Sequence, residues 1–345
     1  VDNIHFDLIR GMRIEGWIFD EAGAPMEDAW ADALFMATNG CYEFADGQGA
    51  DSAGWYSLLV SANTSYVVRV QRPWYLLPQD WWYPEAYYSN RFHVSAAEWL
   101  QTNSGAVISP VSFRLARGYR VRGGVYNSDG ITPAPMGFVS SMDAASNRCA
   151  EAALDEGGAY EMLLPTNTPL YLLGGGEQRV AEYYSNSYTL AGALAIQPPA
   201  LTTTRVDFAL YAYTEDHDAD GQFDYQEDTR PDGVFVAAQD WASYTNADTD
   251  NDLFNDGAER VAGTNPKDAG SFLHCVNVTR SGSSMVIAWS AVSNINYQIQ
   301  RCSSLADPAG WTDWMPVLGT GSVMTVVDGT PGATNYAYRI LVGAP

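Results

Sequence analysis

The chain has 345 residues, a formal net charge of −23 and 13% aromatic residues, with 31 Gly and 17 Pro. That length holds two to four domains, each with its own core. The negative balance argues against nucleic-acid phosphates or anionic lipid as partners and favours cations, and no run of ~18 uncharged apolar residues predicts membrane insertion.

The first predicted element is an alternating strand, Ile4-His5-Phe6-Asp7-Leu8. Its pattern returns as Val111-Ser112-Phe113-Arg114-Leu115 and as Val206-Asp207-Phe208-Ala209-Leu210. Each later copy follows a Tyr-Tyr-Ser-Asn segment, at 87–90 and 183–186, and reads as the closing strand of a domain. The first copy precedes every domain, in a chain that starts at Val1 as a processed chain would. Residues 1–9 are therefore expected to act as a donor strand, with Ile4, Phe6 and Leu8 entering the core of a neighbouring subunit. The plainer reading is that they extend the first strand of their own domain.

Residues 10–116 and 117–212 form an internal repeat. Arg10-Gly11-Met12-Arg13-Ile14-Glu15-Gly16 aligns with Arg117-Gly118-Tyr119-Arg120-Val121-Arg122-Gly123, and Gly54-Trp55-Tyr56 aligns with Gly158-Ala159-Tyr160. Apolar residues alternate at period two and turns recur about every ten residues, which predicts antiparallel sandwiches. Residues 95–100 are the best short helix candidate. The aromatic stretch Trp74-Tyr75, Trp81-Trp82-Tyr83, Tyr87-Tyr88 reads as domain packing, with glycan stacking as the other use. Gly174-Gly175-Gly176 lacks the strand–helix context of a phosphate loop and reads as a turn. The repeat resembles the carboxypeptidase-regulatory-like (transthyretin-like) sandwich, and the resemblance implies structural or adhesive modules of secreted bacterial proteins, without catalytic residues.

Residues 213–270 carry 15 Asp and Glu against three Lys and Arg. Within them Asp216, Asp218, Asp220, Gly221, Asp224 and Glu227 stand at positions 1, 3, 5, 6, 9 and 12 of a twelve-residue loop. Alternate carboxylates on a tightly curled loop converge on one point, and Ca2+ takes six to eight such oxygens. Gln222, at position 7, is expected to offer its backbone carbonyl. Asp248, Asp250, Asp252, Asp256 and Glu259 repeat the spacing, with Phe254 at position 7 and Leu253 where Gly is usual at position 6. Together with Ala262-Gly263-Thr264-Asn265-Pro266 this segment resembles thrombospondin-type-3 and dockerin-like calcium repeats. Without long flanking helices, structural calcium is expected rather than sensing.

Residues 272–345 hold strand-like runs at 275–279, 285–289, 297–301, 323–327 and 336–342. Around Gly310-Trp311-Thr312-Asp313-Trp314 they resemble the fibronectin-III-like domains that end many secreted bacterial proteins. Such a fold has about seven strands, so a missing last strand is expected, which the donor strand of a neighbour could supply. Cys275 and Cys302 flank a predicted strand pair and are the disulfide candidate, ahead of Cys41 with Cys149. The four histidines, His5, His93, His217 and His274, lie in different elements without a nucleophile partner.

The expected fold is thus all-β, three Ig-like or transthyretin-like sandwiches in tandem with a calcium-binding linker. The expected boundaries are 1–9, 10–116, 117–212, 213–271 and 272–345. The expected role is a non-enzymatic subunit of an extracellular, cell-surface filament that joins copies of itself head to tail. The other reading is a carbohydrate-binding or spacer region of a larger secreted enzyme or adhesin.

Overall fold

The computed structural model describes residues 11–342 apart from 73–80, 102, 104, 135, 167, 308 and 331–334. Ile4, Phe6, Leu8 and the Trp74-Tyr75 pair lie outside the described residues. The chain is all-β and divides into two compact units, Val1–Ala212 and Tyr213–Pro345.

The first unit contains two sandwiches built alike. In the first, the strand Met12–Phe19 pairs antiparallel with Trp55–Val60, and the facing sheet has the order Tyr42–Gly49, Trp30–Met36, Ser65–Gln71, Ala86–Tyr87. In the second, Tyr119–Asn127 pairs with Ala159–Leu164 against the sheet Arg148–Ala153, Phe138–Met142, Tyr171–Gly175, Glu182–Tyr183. Alternation places Met12, Ile14 and Ile18, and likewise Tyr119, Val121 and Val125, in the two cores.

The recurrent closing strand runs parallel to the opening strand of its own sandwich, with Ile18 opposite Phe113 and Val125 opposite Phe208. Val111, Phe113 and Leu115 are buried, as are Val206, Phe208 and Leu210. Glycine in the opening strand makes this crossing possible. A Cβ on Gly16 would lie 1.8 Å from the Val111 carbonyl oxygen, and one on Gly123 would lie 1.6 Å from that of Val206. The buried carbonyls then need donors. The Tyr56 hydroxyl donates to Val111 O, and the Tyr160 hydroxyl donates to Val206 O at 2.9 Å.

The Tyr-Tyr-Ser-Asn segments are tight turns. Tyr87 exchanges backbone hydrogen bonds with Arg91, and Tyr183 does so with Ser187. Asn90 and Asn186 both take φ of 53°, a conformation Asn tolerates better than most residues. Of the described aromatics of the long stretch, Tyr87 and Tyr88 pack within the first sandwich, while Trp81, Trp82 and Tyr83 lie where the two sandwiches meet. Trp81 is buried, and the Arg120 guanidinium lies 4.2 Å over the Trp82 ring and donates to Trp81 O at 2.7 Å.

Two local expectations are corrected. Residues 95–100 do not form a helix: a single 3-10 turn, Val94–Ala96, precedes the strand Leu100–Gln101, because too few residues intervene to close successive α-turns. Gly174 and Gly175 belong to the strand Tyr171–Gly175 rather than a turn. A Cβ on Gly174 would come within 2.6 Å of the Phe208 ring, so glycine there makes room for the closing strand.

In the second unit the acidic segment carries two short helices, α1 (Asp224–Glu227) and α2 (Asp256–Ala262). A sandwich of two three-stranded sheets follows, ordered Cys275–Ser281, Ser284–Trp289, Met324–Asp328 and Thr312–Leu318, Asn296–Cys302, Ala337–Val342. Its core is thinly filled. Among the described residues Trp289, Tyr297 and Ile299 form its buried cluster and Ile287, Ala288 and Cys302 are buried besides, against clusters of nineteen residues in the first sandwich and fourteen in the second. Ile340, Val342, Trp314 and Val326 remain half-buried around it, and Cys275–Ser281 is exposed along its length.

The proposed Cys275–Cys302 bridge is also corrected. The two residues belong to different sheets, and both thiols are free. Cys275 is on the exposed strand, its thiol 3.5 Å from Ala288 O, whereas Cys302 is buried and pairs with Ala337. One thiol is thus exposed and the other buried in the core, a difference that sequence spacing does not encode. Cys41 and Cys149 are free as well.

Gly16→Ala and Gly123→Ala should each cost about 3 kcal/mol or more, because the new methyl meets backbone that has no rotamer to yield. Tyr160→Phe, which leaves a buried carbonyl without its donor, should cost about 1–3 kcal/mol. Urea melts of the three variants read both effects.

Candidate metal centre

Loops 216–227 and 248–259 fold alike, and their aspartates serve first as their own scaffold. At position 1, Asp216 accepts from Gly221 N at 3.2 Å and Asp248 accepts from Leu253 N at 2.9 Å. At position 5, Asp220 accepts from Gln222 N at 2.7 Å and Asp252 accepts from Phe254 N at 2.9 Å. Position 9 accepts from the backbone of position 2, with His217 N to Asp224 and Thr249 N to Asp256 both at 2.9 Å. These are short-range Asx contacts, so alternate Asp residues alone are enough to curl the chain.

Position 4 is left-handed in both loops, with φ of 60° at Ala219 and 62° at Asn251. Position 6 is too, with 93° at Gly221 and 80° at Leu253. The turn in the second loop is therefore no less demanding, and Leu253 adopts it at a cost of roughly 1–2 kcal/mol. Its side chain is almost wholly exposed.

After the scaffold is satisfied, many oxygens are left over. Within the two loops nine buried carboxylate oxygens accept no hydrogen bond: Asp216 Oδ1, Asp218 Oδ2, Asp252 Oδ2 and both oxygens of Glu227, Asp250 and Glu259. Glu227 and Glu259, at position 12 of each loop, are 0% and 1% exposed. The ligand atoms of Asp216, Asp218 and Asp220 lie within 4.8 Å of one another, as do those of Asp248, Asp250 and Asp252. Buried, crowded carboxylates without donors must be neutralised by protons or by cations. An all-oxygen set of this kind suits a hard cation.

Position 9 also holds its own loop together, and the Asp256 carboxylate lies with those of Asp220 and Glu227, ligand atoms within 4.8 Å of one another. Asp224 meets both the backbone and the ring Nδ1 of His217, and Asp256 meets both the backbone and hydroxyl of Thr249. Each thus braces its loop. The Gln222 side chain is buried, and Phe254 stacks on Phe272 with ring centroids 5.3 Å apart. His217 belongs to no sequence motif, and only its contact with Asp224 shows that it braces the loop. Nor does the sequence show that Lys267, the only lysine, caps the carbonyls of Ala237 and Asp240.

Without a cation the electrostatics favour protonation. Burial, then the charges of Asp218, Asp220 and Asp256, push Glu227 up to about 9. Burial, with Asp250 and Asp252 nearby, pushes Glu259 up to about 7, and burial beside Asp220 pushes Asp218 up to about 6.

No protein-family model and no curated protein matches this chain. Among solved structures, the Bacillus anthracis TIE protein is 9% identical with a TM-score of 0.24, covering 97% of this chain and 46% of its own. A streptococcal ancillary pilin is 10% identical at 0.23, covering 60% and 63%. The shaft pilin SpaA from Lactobacillus rhamnosus GG is 7% identical at 0.24, covering 60% and 99%. The chain spans less than two thirds of the first two of these proteins.

Raised folded-state pKa values mean that the cation-free fold binds more protons than the unfolded chain, whose carboxyls titrate near ~4. Its stability should be fullest below that range and fall as pH rises through about 6, 7 and 9, where Asp218, Glu259 and Glu227 ionise. Thermal melts in chelator from pH 5 to 9 should therefore show a falling Tm.

Proposed function

We propose that this protein is a structural, non-catalytic subunit of an extracellular filament or surface appendage. Calcium held by the 216–227 and 248–259 loops stiffens it, and donation of residues 1–9 joins it to a second copy. The observation that carries the calcium part is the set of buried, partnerless carboxylate oxygens, above all those of Glu227 and Glu259. Asp216, Asp218, Asp220, Asp248, Asp250 and Asp252 would supply the remaining side-chain oxygens, and Gln222 and Phe254 their carbonyls.

The assembly part is supported by the thin core of the 272–345 sandwich. Among the described residues no strand lies beyond Ala337–Val342 in its sheet, and the apolar residues there stay half-buried. The two internal copies of the β-branched–polar–Phe–x–Leu strand bury their alternate side chains completely. Residues 4–8 carry the same alternation, so Ile4, Phe6 and Leu8 would fill the acceptor core. That burial is worth roughly 5–8 kcal/mol before ordering costs. A head-to-tail contact of this kind is heterologous, and it builds a filament wherever its rotation does not close into a ring.

Calcium should raise the Tm, chelator should lower it, and Glu227→Gln and Glu259→Gln should each halve the calcium bound. The Gly221 loop should bind more tightly than the Leu253 loop, and Leu253→Gly should narrow the gap. Identical melts with calcium and with chelator would remove calcium from the reading.

Electron microscopy of the purified protein should show fibres. Phe6→Asp, or deletion of residues 1–9, should leave folded monomers by circular dichroism and none by microscopy. Fibres that persist in both variants would refute strand donation.

A further inference from the structure

Asp220 serves both loops. Its carboxylate lies with those of Asp216 and Asp218, and it also forms a second, fully buried group with Glu227 and Asp256, all ligand atoms again within 4.8 Å. Asp256 belongs to the other loop. Asp220 Oδ2 further accepts a hydrogen bond at 2.5 Å from Gly257 N in the first turn of α2. The Asn255 side-chain amide, one residue before α2, donates to Asp220 O at 3.4 Å while its carbonyl caps Ala258 N at 2.8 Å.

The contact is tight enough to dictate a residue type. A Cβ on Gly257 would lie 2.6 Å from the Asp220 carbonyl oxygen and 3.2 Å from its carbonyl carbon. Glycine within a helix is otherwise unfavourable by about 1 kcal/mol relative to alanine. Its presence here follows from the close approach of the first loop. α2 in turn carries Asp256 and Glu259, at positions 9 and 12 of the second loop. A cation that draws Asp220 and Glu227 together thereby presses on the start of α2, and a cation that draws in Glu259 presses back along the same helix.

We infer that the two loops are one cooperative binuclear unit, coupled through the contact of Asp220 with Asn255 and Gly257. This rests on the reading of the loops as calcium sites. Filling either loop sets the geometry of the other, and linkage makes the coupling reciprocal.

The test is calorimetric titration of the full chain with calcium alone, in three backgrounds, wild type, Gly257→Ala and Asn255→Ser, each also carrying Glu259→Gln (first loop only) or Glu227→Gln (second loop only). The coupling factor is the product of the two wild-type association constants divided by the product of the single-loop constants. It should be about tenfold or more in the wild type. Measured with the Glu227→Gln and Glu259→Gln changes placed in its own background, Gly257→Ala should bring it near one and weaken the first loop, although residue 257 lies in the second. Asn255→Ser keeps a capping oxygen for α2 but loses the amide donor, and should lower the factor without a clash. A wild-type factor near one, or a factor unchanged in both coupling variants, overturns the inference while leaving the calcium sites standing. A flat wild-type titration overturns the calcium reading and the inference with it.

Discussion

Mutual repulsion among carboxylates is the constraint on which the second unit depends. Ten acidic side chains are brought into two adjacent loops, and nine of their oxygens are buried without a donor. A chain segment with this sequence cannot collapse in its fully ionised form, since burial and like charge both oppose it. Neutralising that charge favours the folded loops. Protons can do it weakly at low pH, whereas divalent cations can do it at neutral pH and also fix geometry.

The two sandwiches of the first unit solve a different problem by one repeated device. Their closing strand must run over the opening strand, and a glycine, Gly16 or Gly123, clears the path. A tyrosine hydroxyl, from Tyr56 or Tyr160, then satisfies the carbonyl that the crossing buries. The device needs residues from three separated segments, and both copies have all three. That makes the internal repeat a repeat of packing chemistry as well as of apolar pattern.

The third sandwich contrasts with these two. It has ladders of ordinary length, but among the described residues its buried cluster has three members, ringed by half-buried apolar residues such as Trp314, Val326, Ile340 and Val342. Edge strands and half-covered cores are normally blunted or paired, because they template association.

The all-β class, the internal repeat and the register of the acidic loops could be read from the sequence by itself. Each is carried by local signals: period-two alternation, turn residues, and carboxylates at fixed offsets whose hydrogen bonds span seven residues or fewer. The tertiary structure alone decided what depends on strand order and on approach between distant segments. It separated Cys275 from Cys302 onto different sheets, ran the closing strands parallel to the opening ones, and put Gly174 and Gly175 into a strand. It also joined Asp224 to His217 and Asp256 to Thr249 and set Asp220 against Gly257, 37 residues away. Spacing along a chain encodes which groups a loop can gather, but not which face another loop will present to it. That is settled only when the chain packs.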